Sequence, residues 1–320
     1  MSDTGTILIT GGRGFIGCNL AKRLSKTYRL RILDSLERSS PTGWEAADHD
    51  FVQASILDPA AMAGAAAKID AIVHLAAYGS VVESVVDPVT NFNTNVVGTF
   101  NVLNAAVDAN VRRVVFASTG GALIGNANPP VHEGSLPKPI SPYGASKLCG
   151  EAYSHAFAES RGLEAVCLRF GNVYGPHSAH KKGAVTTFIK ALMNDEPMVI
   201  HGDGSASRDY IHVDDLCTGI AAALAAPLRG GEVFHLASGR ATTVLQLAEM
   251  LRNVAGKPNH PIVFMPARRG EVSRNFANYD LARQTLGFKP VHDVDSGMAA
   301  TWQWFVDHQD VVLSAKTSDS

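Results

Sequence analysis

Short, nearly continuous apolar runs recur along the first half of the chain, and between them apolar positions return at helical spacing. The runs Thr6–Thr10, Leu30–Leu33, Phe51–Gln53, Ala71–Leu75, Arg113–Ala117 and Ala165–Arg169 predict strands. Helical spacing predicts helices over Phe15–Ser25, Pro59–Ala66, Thr90–Asp108 and Tyr143–Ser160. Strands apolar on both faces, alternating with helices, are what a parallel sheet covered on both sides requires. The expected fold is α/β: a doubly wound parallel sheet with its ligand crevice at the carboxyl ends of the strands. Past Phe170 the rhythm loosens. A loop over Gly171–Gly183 leads to a helix near Ala184–Asn194 and the turn-rich HGDGSASRDY, then to a helix over Val213–Ala225 and a strand over Val233–Leu236. This divides the chain into a sheet domain, residues 1–170 rejoined by 213–236, and a smaller mixed α/β lobe made of 171–212 and 237–320.

The turn between the first strand and the first helix is TGGRGFIG, with Gly11, Gly14 and Gly17. There the first glycine permits a tight turn, the second lets backbone approach a pyrophosphate, and the third lets helix and strand pack closely. The helix N-terminus offers its free N–H groups to phosphate. This is the fingerprint of a Rossmann sheet that binds a dinucleotide. Asp34 closes the second strand, where a carboxylate accepts hydrogen bonds from both ribose hydroxyls and repels a 2′-phosphate. NAD is therefore favoured over NADP, with Arg38 near enough to soften the preference.

Tyr143 and Lys147, in SPYGASK, stand one helical turn apart, so both project from the same face. A free tyrosine has a pKa near ~10, and using it as a base near neutrality means lowering that by about 3 units, or ~4 kcal/mol. A cation about 5 Å away contributes roughly 3 kcal/mol at an effective dielectric near 20. A lysine ammonium and an oxidised nicotinamide together are expected to lower it that far.

Bulk properties narrow the field. With 320 residues the chain can bury a large core. A formal charge of −2 gives no case for nucleic acid or an anionic membrane as partner. No apolar run approaches the ~18 residues of a membrane span, and MSDTGTILIT enters a strand without a leader pattern. Cys18, Cys149, Cys167 and Cys217 lack metal-like spacing and read as reduced thiols of a cytoplasmic protein. The histidines form no HxxxH or HExxH pair, so no metal is expected.

Further segments complete a pattern: VHLAA (Val73–Ala77), ASTGGA (Ala117–Ala122), LRFGNVYGP (Leu168–Pro176), GDGSASRDYIHVDD (Gly202–Asp215) and RRGEV (Arg268–Val272). With these the chain resembles the extended short-chain dehydrogenase/reductases, and among them the UDP-glucose 4-epimerase group of nucleotide-sugar epimerases. The resemblance implies NAD-dependent epimerisation of a UDP-hexose at the 4-position through a transient 4-keto sugar. Tyr143 would take the proton of the 4-hydroxyl, and Lys147 would hold the nicotinamide ribose. Thr119, or Ser118 one register away, would hydrogen-bond the same sugar oxygen. The cofactor positions it implies are Gly11, Gly14, Phe15, Ile16, Gly17, Asp34, Ser35, Ser55, Ile56, Leu75, Ala76, Ala77 and Asn95, together with Tyr143 and Lys147. Ser55 stands where the family often has an acidic adenine contact, and Ile124 where it often has a tyrosine.

For the nucleotide sugar, the resemblance implies Arg208 and Arg268 on the diphosphate, a task that suits guanidinium forks, or else as surface ion-pair partners. It implies Asn172 near the phosphates, Ala184 and Val185 beside the substrate, and Asn275 where room for an N-acetyl group is set. His201 either stacks on uracil or is a solvated loop residue. Asp209 is expected to brace the arginine and Asp214 to cap the next helix. Lys181 or Lys182 either meets a hexuronate carboxylate or belongs to a solvated loop. Gly120 and Gly121 follow Thr119 where family dehydratases carry Asp-Glu, which favours epimerisation. Helices near Thr90–Asp108 and Gly144–Ser160 match those that pair in the family's homodimers. Rival readings are a nucleotide-sugar reductase with net NAD(P) turnover and a non-catalytic dinucleotide sensor.

Overall fold

Seven parallel strands make one sheet: β1 (Thr6–Thr10), β2 (Arg29–Asp34), β3 (Asp50–Gln53), β4 (Ala71–His74), β5 (Arg113–Thr119), β6 (Glu164–Phe170) and β7 (Val233–Leu236). Their order across the sheet is β7-β6-β5-β4-β1-β2-β3. It reverses between β1 and β4, and the crevice above that reversal is where a doubly wound sheet binds its ligand. The computed structural model describes residues 5–37, 39–40, 49–267 and 272–314.

The alternation of side chains along each strand builds two separate cores. Ile7, Ile9, Ile32, Val73 and Val115 face the helices Phe15–Leu24 and Val213–Ala225. Leu8, Leu33, Ile72 and Val114 face the helices Pro59–Ala66, Gly98–Asp108 and Pro142–Arg161. Every central strand is thus buried on both sides, which is why the sequence shows continuous apolar runs rather than alternation. A third cluster, with Phe188, Ile189, Leu192, Ile200, Leu247, Leu251 and Phe305, lies off the sheet. It packs the helices Ala184–Met193, Val244–Val254 and Val294–Asp307 together with a parallel ribbon of Met198–His201 and Ile262–Met265.

Arg113, fully buried, joins the layers. Its Nη1 donates to the carbonyls of Ala223, Leu224 and Ala226 at 2.8, 2.9 and 2.7 Å, and its Nη2 pairs with Glu164 at 2.6 Å. A cation on the last carbonyls of the helix Val213–Ala225 satisfies groups that the helix cannot satisfy itself.

The single helix expected over Thr90–Asp108 is divided. Pro88–Phe92 begins at an Asp87 cap, a π turn spans Asn93–Val97, and a regular helix runs over Gly98–Asp108. A further helix, Val81–Val86, precedes them with Ser80 as its cap. Asp87 and Pro88 are start signals inside an otherwise periodic run, and periodicity alone passes over them.

Glycines set the approach of helix to sheet. A Cβ on Gly17 would overlap the Gly12 carbonyl oxygen, whereas one on Gly64, mid-helix, meets nothing within 4 Å. Gly17→Ala is expected to lose about 1–3 kcal/mol of stability and to weaken NAD binding. Gly64→Ala should gain roughly 1 kcal/mol. Urea unfolding of both variants checks the pair.

Candidate active site

The glycine turn has the form a dinucleotide needs. Gly11 adopts φ +65°, and a Cβ there would come within 2.6 Å of Ala76 N and Cα, so the turn is seated directly against the exit of β4. Gly14 is the extended N-cap of the helix Phe15–Leu24, with no side-chain cap and no acidic residue in the first turn. The N–H groups of that turn are left to a ligand, and an added anion is favoured there. Leu75, Ala76 and Ala77 line the opposite wall, half-buried.

Asp34 is buried at the end of β2. Its carboxylate accepts hydrogen bonds from Arg13 N at 2.9 Å and Leu36 N at 2.8 Å, which ties the glycine turn to the loop that includes Ser35. The Arg13 guanidinium lies 4.4 Å over the Phe51 ring. Two other cofactor positions are occupied locally. Ser55 Oγ accepts from Leu57 N at 3.2 Å within its own turn, and Ile56 packs its side chain into the core at Gly98. Asn95, also buried, sits on the π turn, where Oδ1 accepts from Tyr78 N at 2.8 Å. Its Nδ2 donates to Tyr78 O at 3.2 Å and Ser146 Oγ at 3.0 Å. Asn95 therefore orders the loop after β4 against the helix carrying Tyr143.

That helix, Pro142–Arg161, starts with Pro142 behind a Ser141 cap, the favoured arrangement for an N-terminus. Tyr143 N donates to Ser84 Oγ at 3.1 Å. A Cβ at Gly144 would overlap the Ala122 carbonyl, and one at Gly150 would overlap the Phe116 ring. These glycines flank Lys147 by three residues on either side, on one face, and let the helix lie close enough for the lysine to reach the carboxyl end of β5. Lys147 is buried; Nζ donates to Ala117 O at 2.8 Å and lies 4.8 Å from the Phe116 ring and 6.0 Å from the Tyr143 ring.

Burial acts on both groups in the direction that disfavours charge. It pushes the Tyr143 phenol up to about 12 and the Lys147 ammonium down to about 8. The lowering expected from the lysine and an oxidised nicotinamide together thus starts, in the protein alone, from a phenol raised by burial. Lowering it calls for further positive charge.

Ser118 and Thr119 part company. Ser118 is buried, and its Oγ donates to Glu151 Oε1 at 2.6 Å, while Thr119, the last residue of β5, is half-buried. Beyond it, a Cβ at Gly120 would come within 3.0 Å of His235 Nδ1, and one at Gly121 within 3.0 Å of Asn275 Nδ2. Asn275 is therefore placed beside the strand end, with its backbone N donating to Ser207 O at 3.1 Å.

The second set of candidates gathers around Ser207–Arg208, a short strand paired with Thr242–Thr243. Arg208 is half-buried and donates from Nη1 to Ser207 O at 2.9 Å. Asn172 is exposed, with its N donating to Asp209 O at 2.6 Å. His201 is half-buried and its Nδ1 lies 3.2 Å from Pro266 O. Ala184 opens a helix behind an uncapped Gly183, while Val185 turns into the third core. Arg268 lies outside the described residues, as does Arg38.

Two expectations need correction. Asp209 does not brace Arg208: its buried carboxylate accepts from Ser238 N and Oγ at 2.7 Å each, Gly239 N at 3.0 Å and Ala277 N at 3.2 Å. Burial pushes its carboxyl upward against those bonds. Asp214 is not the cap of its helix; His212 is, with Nδ1 accepting from Asp214 N at 3.3 Å, and Asp214 lies in the first turn. Lys182 lies on an exposed loop and pairs with Glu83 at 3.1 Å, beside the serine that holds Tyr143 N.

Among the described residues, His212, Asp214 and His292 bring three metal-type ligands together. The two rings stack at 4.3 Å with 27° between planes, so their in-plane lone pairs run side by side, and His292 Nδ1 is 3.0 Å from Asp215 Oδ1. No helix among the described residues is long and apolar enough to cross a membrane.

Sequence reasoning missed His74, Ser84, Glu151 and Arg169. His74 is buried between Thr10 Oγ1 at 2.7 Å and Thr99 Oγ1 at 3.0 Å, and burial pushes it down to about 3. Its position inside VHLAA was the available signal.

Sheet, glycine turn and Tyr143–Lys147 helix together define an NAD-using enzyme of the extended short-chain dehydrogenase/reductase type. Residues 7–237 match the profile of the NAD dependent epimerase/dehydratase family. The UDP-glucose 4-epimerase of Mycolicibacterium smegmatis is 36% identical over 310 residues, covering 93% of this chain and 97% of that one. The UDP-glucose 4-epimerase of Thermotoga maritima, solved with UDP-glucose, superposes with a TM-score of 0.90 at 33% identity, over 95% of this chain and 99% of that one. A dTDP-glucose 4,6-dehydratase of Streptomyces venezuelae, solved with NAD, gives 0.89 at 30% identity over 95% and 98%. The chain belongs to the NAD dependent epimerase/dehydratase family and to its nucleotide-sugar epimerase group.

Removing the buried cation separates activity from stability. Lys147→Met is expected to abolish turnover without lowering the melting temperature, because a drop from 10.5 to about 8 corresponds to roughly 3 kcal/mol spent on burying the charge. Between those pH values the unfolded chain holds a proton that the folded chain has lost, so this residue makes stability rise with pH through that window. Denaturation at pH 7.5 and pH 10 should show that rise diminished in the variant.

Proposed function

We propose that the chain catalyses the NAD-dependent 4-epimerisation of a UDP-hexose. The observation carrying this reading is the hydrogen bond of Lys147 Nζ to Ala117 O near the carboxyl end of β5, with β4 alone between that strand and the β1 strand leading into the glycine turn. The turn's geometry fits NAD, which supplies a reversible hydride acceptor when bound. Asp34 takes the adenosine ribose, and the N–H groups after Gly14 take the pyrophosphate. Lys147 Nζ has two N–H bonds beyond the one given to Ala117, for the nicotinamide ribose. Its charge and that of the oxidised ring together favour the Tyr143 phenolate, which accepts the proton of the sugar 4-hydroxyl. Ser118 is committed to Glu151, so Thr119 is the strand-end hydroxyl that hydrogen-bonds the same oxygen. Arg208, Asn172 and Arg268 hold the diphosphate, and His201 the base, so that the hexose can turn over between reactions. Asn275 borders the sugar near Gly121.

The glycine pair supports epimerisation over dehydration. A dehydratase needs carboxylates after the threonine, and here a Cβ at Gly120 or Gly121 would press to 3.0 Å against His235 or Asn275. Four free thiols suit a reducing compartment, and the cytoplasm is the proposed location.

Purified protein offered UDP-glucose is expected to form UDP-galactose without net consumption of NAD, and Tyr143→Phe to lower kcat about 10²–10⁴-fold. Parallel reactions with UDP-N-acetylglucosamine and UDP-glucuronate test the width of the site. Net reduction of NAD+ by any of them, or net oxidation of added NAD(P)H, would instead support an oxidoreductase with net cofactor turnover.

A homodimer is part of this reading. Val86, Val89, Phe92 and Phe100 on the helices before Asp108, with Tyr153 on the Tyr143 helix, are exposed apolar residues on elements packed side by side. Val89→Asp is expected to convert a dimer to a monomer in sedimentation equilibrium; a wild-type monomer would remove the idea.

A further inference from the structure

Tyr143, Lys147 and Glu151 recur at one-turn intervals on the face of their helix that packs on β5 and β6. The first two belong to the site described above. Glu151 lies behind it, buried, and no established role accounts for it. Its Oε1 accepts from Ser118 Oγ at 2.6 Å and Arg169 Nε at 2.9 Å, and its Oε2 accepts from Arg169 Nη2 at 2.8 Å. Arg169 Nη1 completes the set on Glu133 O at 3.3 Å. Both partners sit on strands, and Ser118 immediately precedes Thr119.

A buried ion pair is weak evidence for stability, since apolar residues of similar volume often do as well. This one links the helix carrying the base to the strand end carrying the second hydroxyl. It also lies beside the ammonium. The groups facing Lys147 are Tyr143 and Glu151 from its own helix, Ala117 O and the Phe116 ring from β5, Cys167 from β6, and His74 from β4. Burial keeps the Cys167 thiol protonated, up to about 12, and His74 neutral, down to about 3. Among these described groups Glu151 alone brings negative charge to Lys147.

We propose that Glu151 is a positioning residue for the reaction: it locks the catalytic helix to the strand end bearing Thr119 and supplies the countercharge of the Lys147 ammonium. The proposal rests on the epimerase reading for its kinetic test alone. Without the carboxylate, Lys147 shares its pocket with an unmatched Arg169 guanidinium. It then loses its proton at lower pH, and the activation of Tyr143 goes with it.

The experiment compares wild type, Glu151→Gln and Ser118→Ala by pH profiles of kcat with UDP-glucose, by NAD+ affinity over the same pH range, and by melting temperature. Glu151→Gln is expected to move the alkaline limb of kcat about one pH unit or more toward acid, with NAD+ affinity falling over the same interval. Ser118→Ala, which cuts the tether and keeps the charge, should lower kcat and leave the limb in place. If Glu151→Gln does not fold, the double variant Glu151→Gln/Arg169→Met relieves the stranded guanidinium and should still shift the limb in the same direction. A lower melting temperature with the limb and the NAD+ profile unmoved would overturn the proposal. A wild type inactive on UDP-sugars would sink the epimerase reading, and NAD+ affinity against pH would then decide the role of Glu151.

Discussion

A lysine ammonium stripped of most of its water is the constraint on which the rest of this structure depends. Lys147 is held by the Ala117 carbonyl and the Phe116 ring of one strand, one helical turn before the Glu151 carboxylate that binds Ser118 and Arg169. Each lies where it does because the helix approaches closely, at Gly150 against Phe116 of β5 and at Gly144 against Ala122 just beyond that strand. A larger residue at Gly150 would lift the helix from the sheet, and one at Gly144 would push its start away from Ala122, each giving water a way back to the ammonium. The cation would then be more comfortable and less useful, because an electrostatic influence on Tyr143 fades as the local dielectric rises.

The architecture was legible because its signals are short-range. Continuous apolar strands, the glycine turn and the one-turn spacing of Tyr143 and Lys147 each follow from residues close in sequence. What escaped depends on distant partners. Glu151 reads as an ordinary helix surface residue until Ser118 and Arg169 are folded beneath it. Likewise, Asp209 was matched to its sequence neighbour Arg208, whereas its carboxylate serves Ser238, Gly239 and Ala277, 29 to 68 positions away. The size of the desolvation acting on Tyr143 was equally illegible, since burial is set by residues far away in sequence.

Hydrogen bonds also join the cofactor side to the lobe built on the third core. Asn19, on the helix behind the glycine turn, donates to Pro176 O at 3.0 Å, and Ser40 Oγ donates to His177 O at 3.1 Å. Both acceptors belong to the loop running into the helix at Ala184. The loop is therefore anchored from the dinucleotide side at its start and by the Lys182–Glu83 pair at its end.

The π turn at Asn93–Val97 holds one residue more than regular α geometry would place there, with Gly98 N bonded back to Asn93 O. Each residue in a helix turns the chain by about 100°. Losing a single position here would therefore act as a rotation rather than a shortening. The preceding helices would swivel by more than a quarter revolution, taking Val89 and Phe92 off their shared face and Asn95 away from Tyr78 and Ser146. A one-residue gap in an alignment through this stretch marks a change of facing.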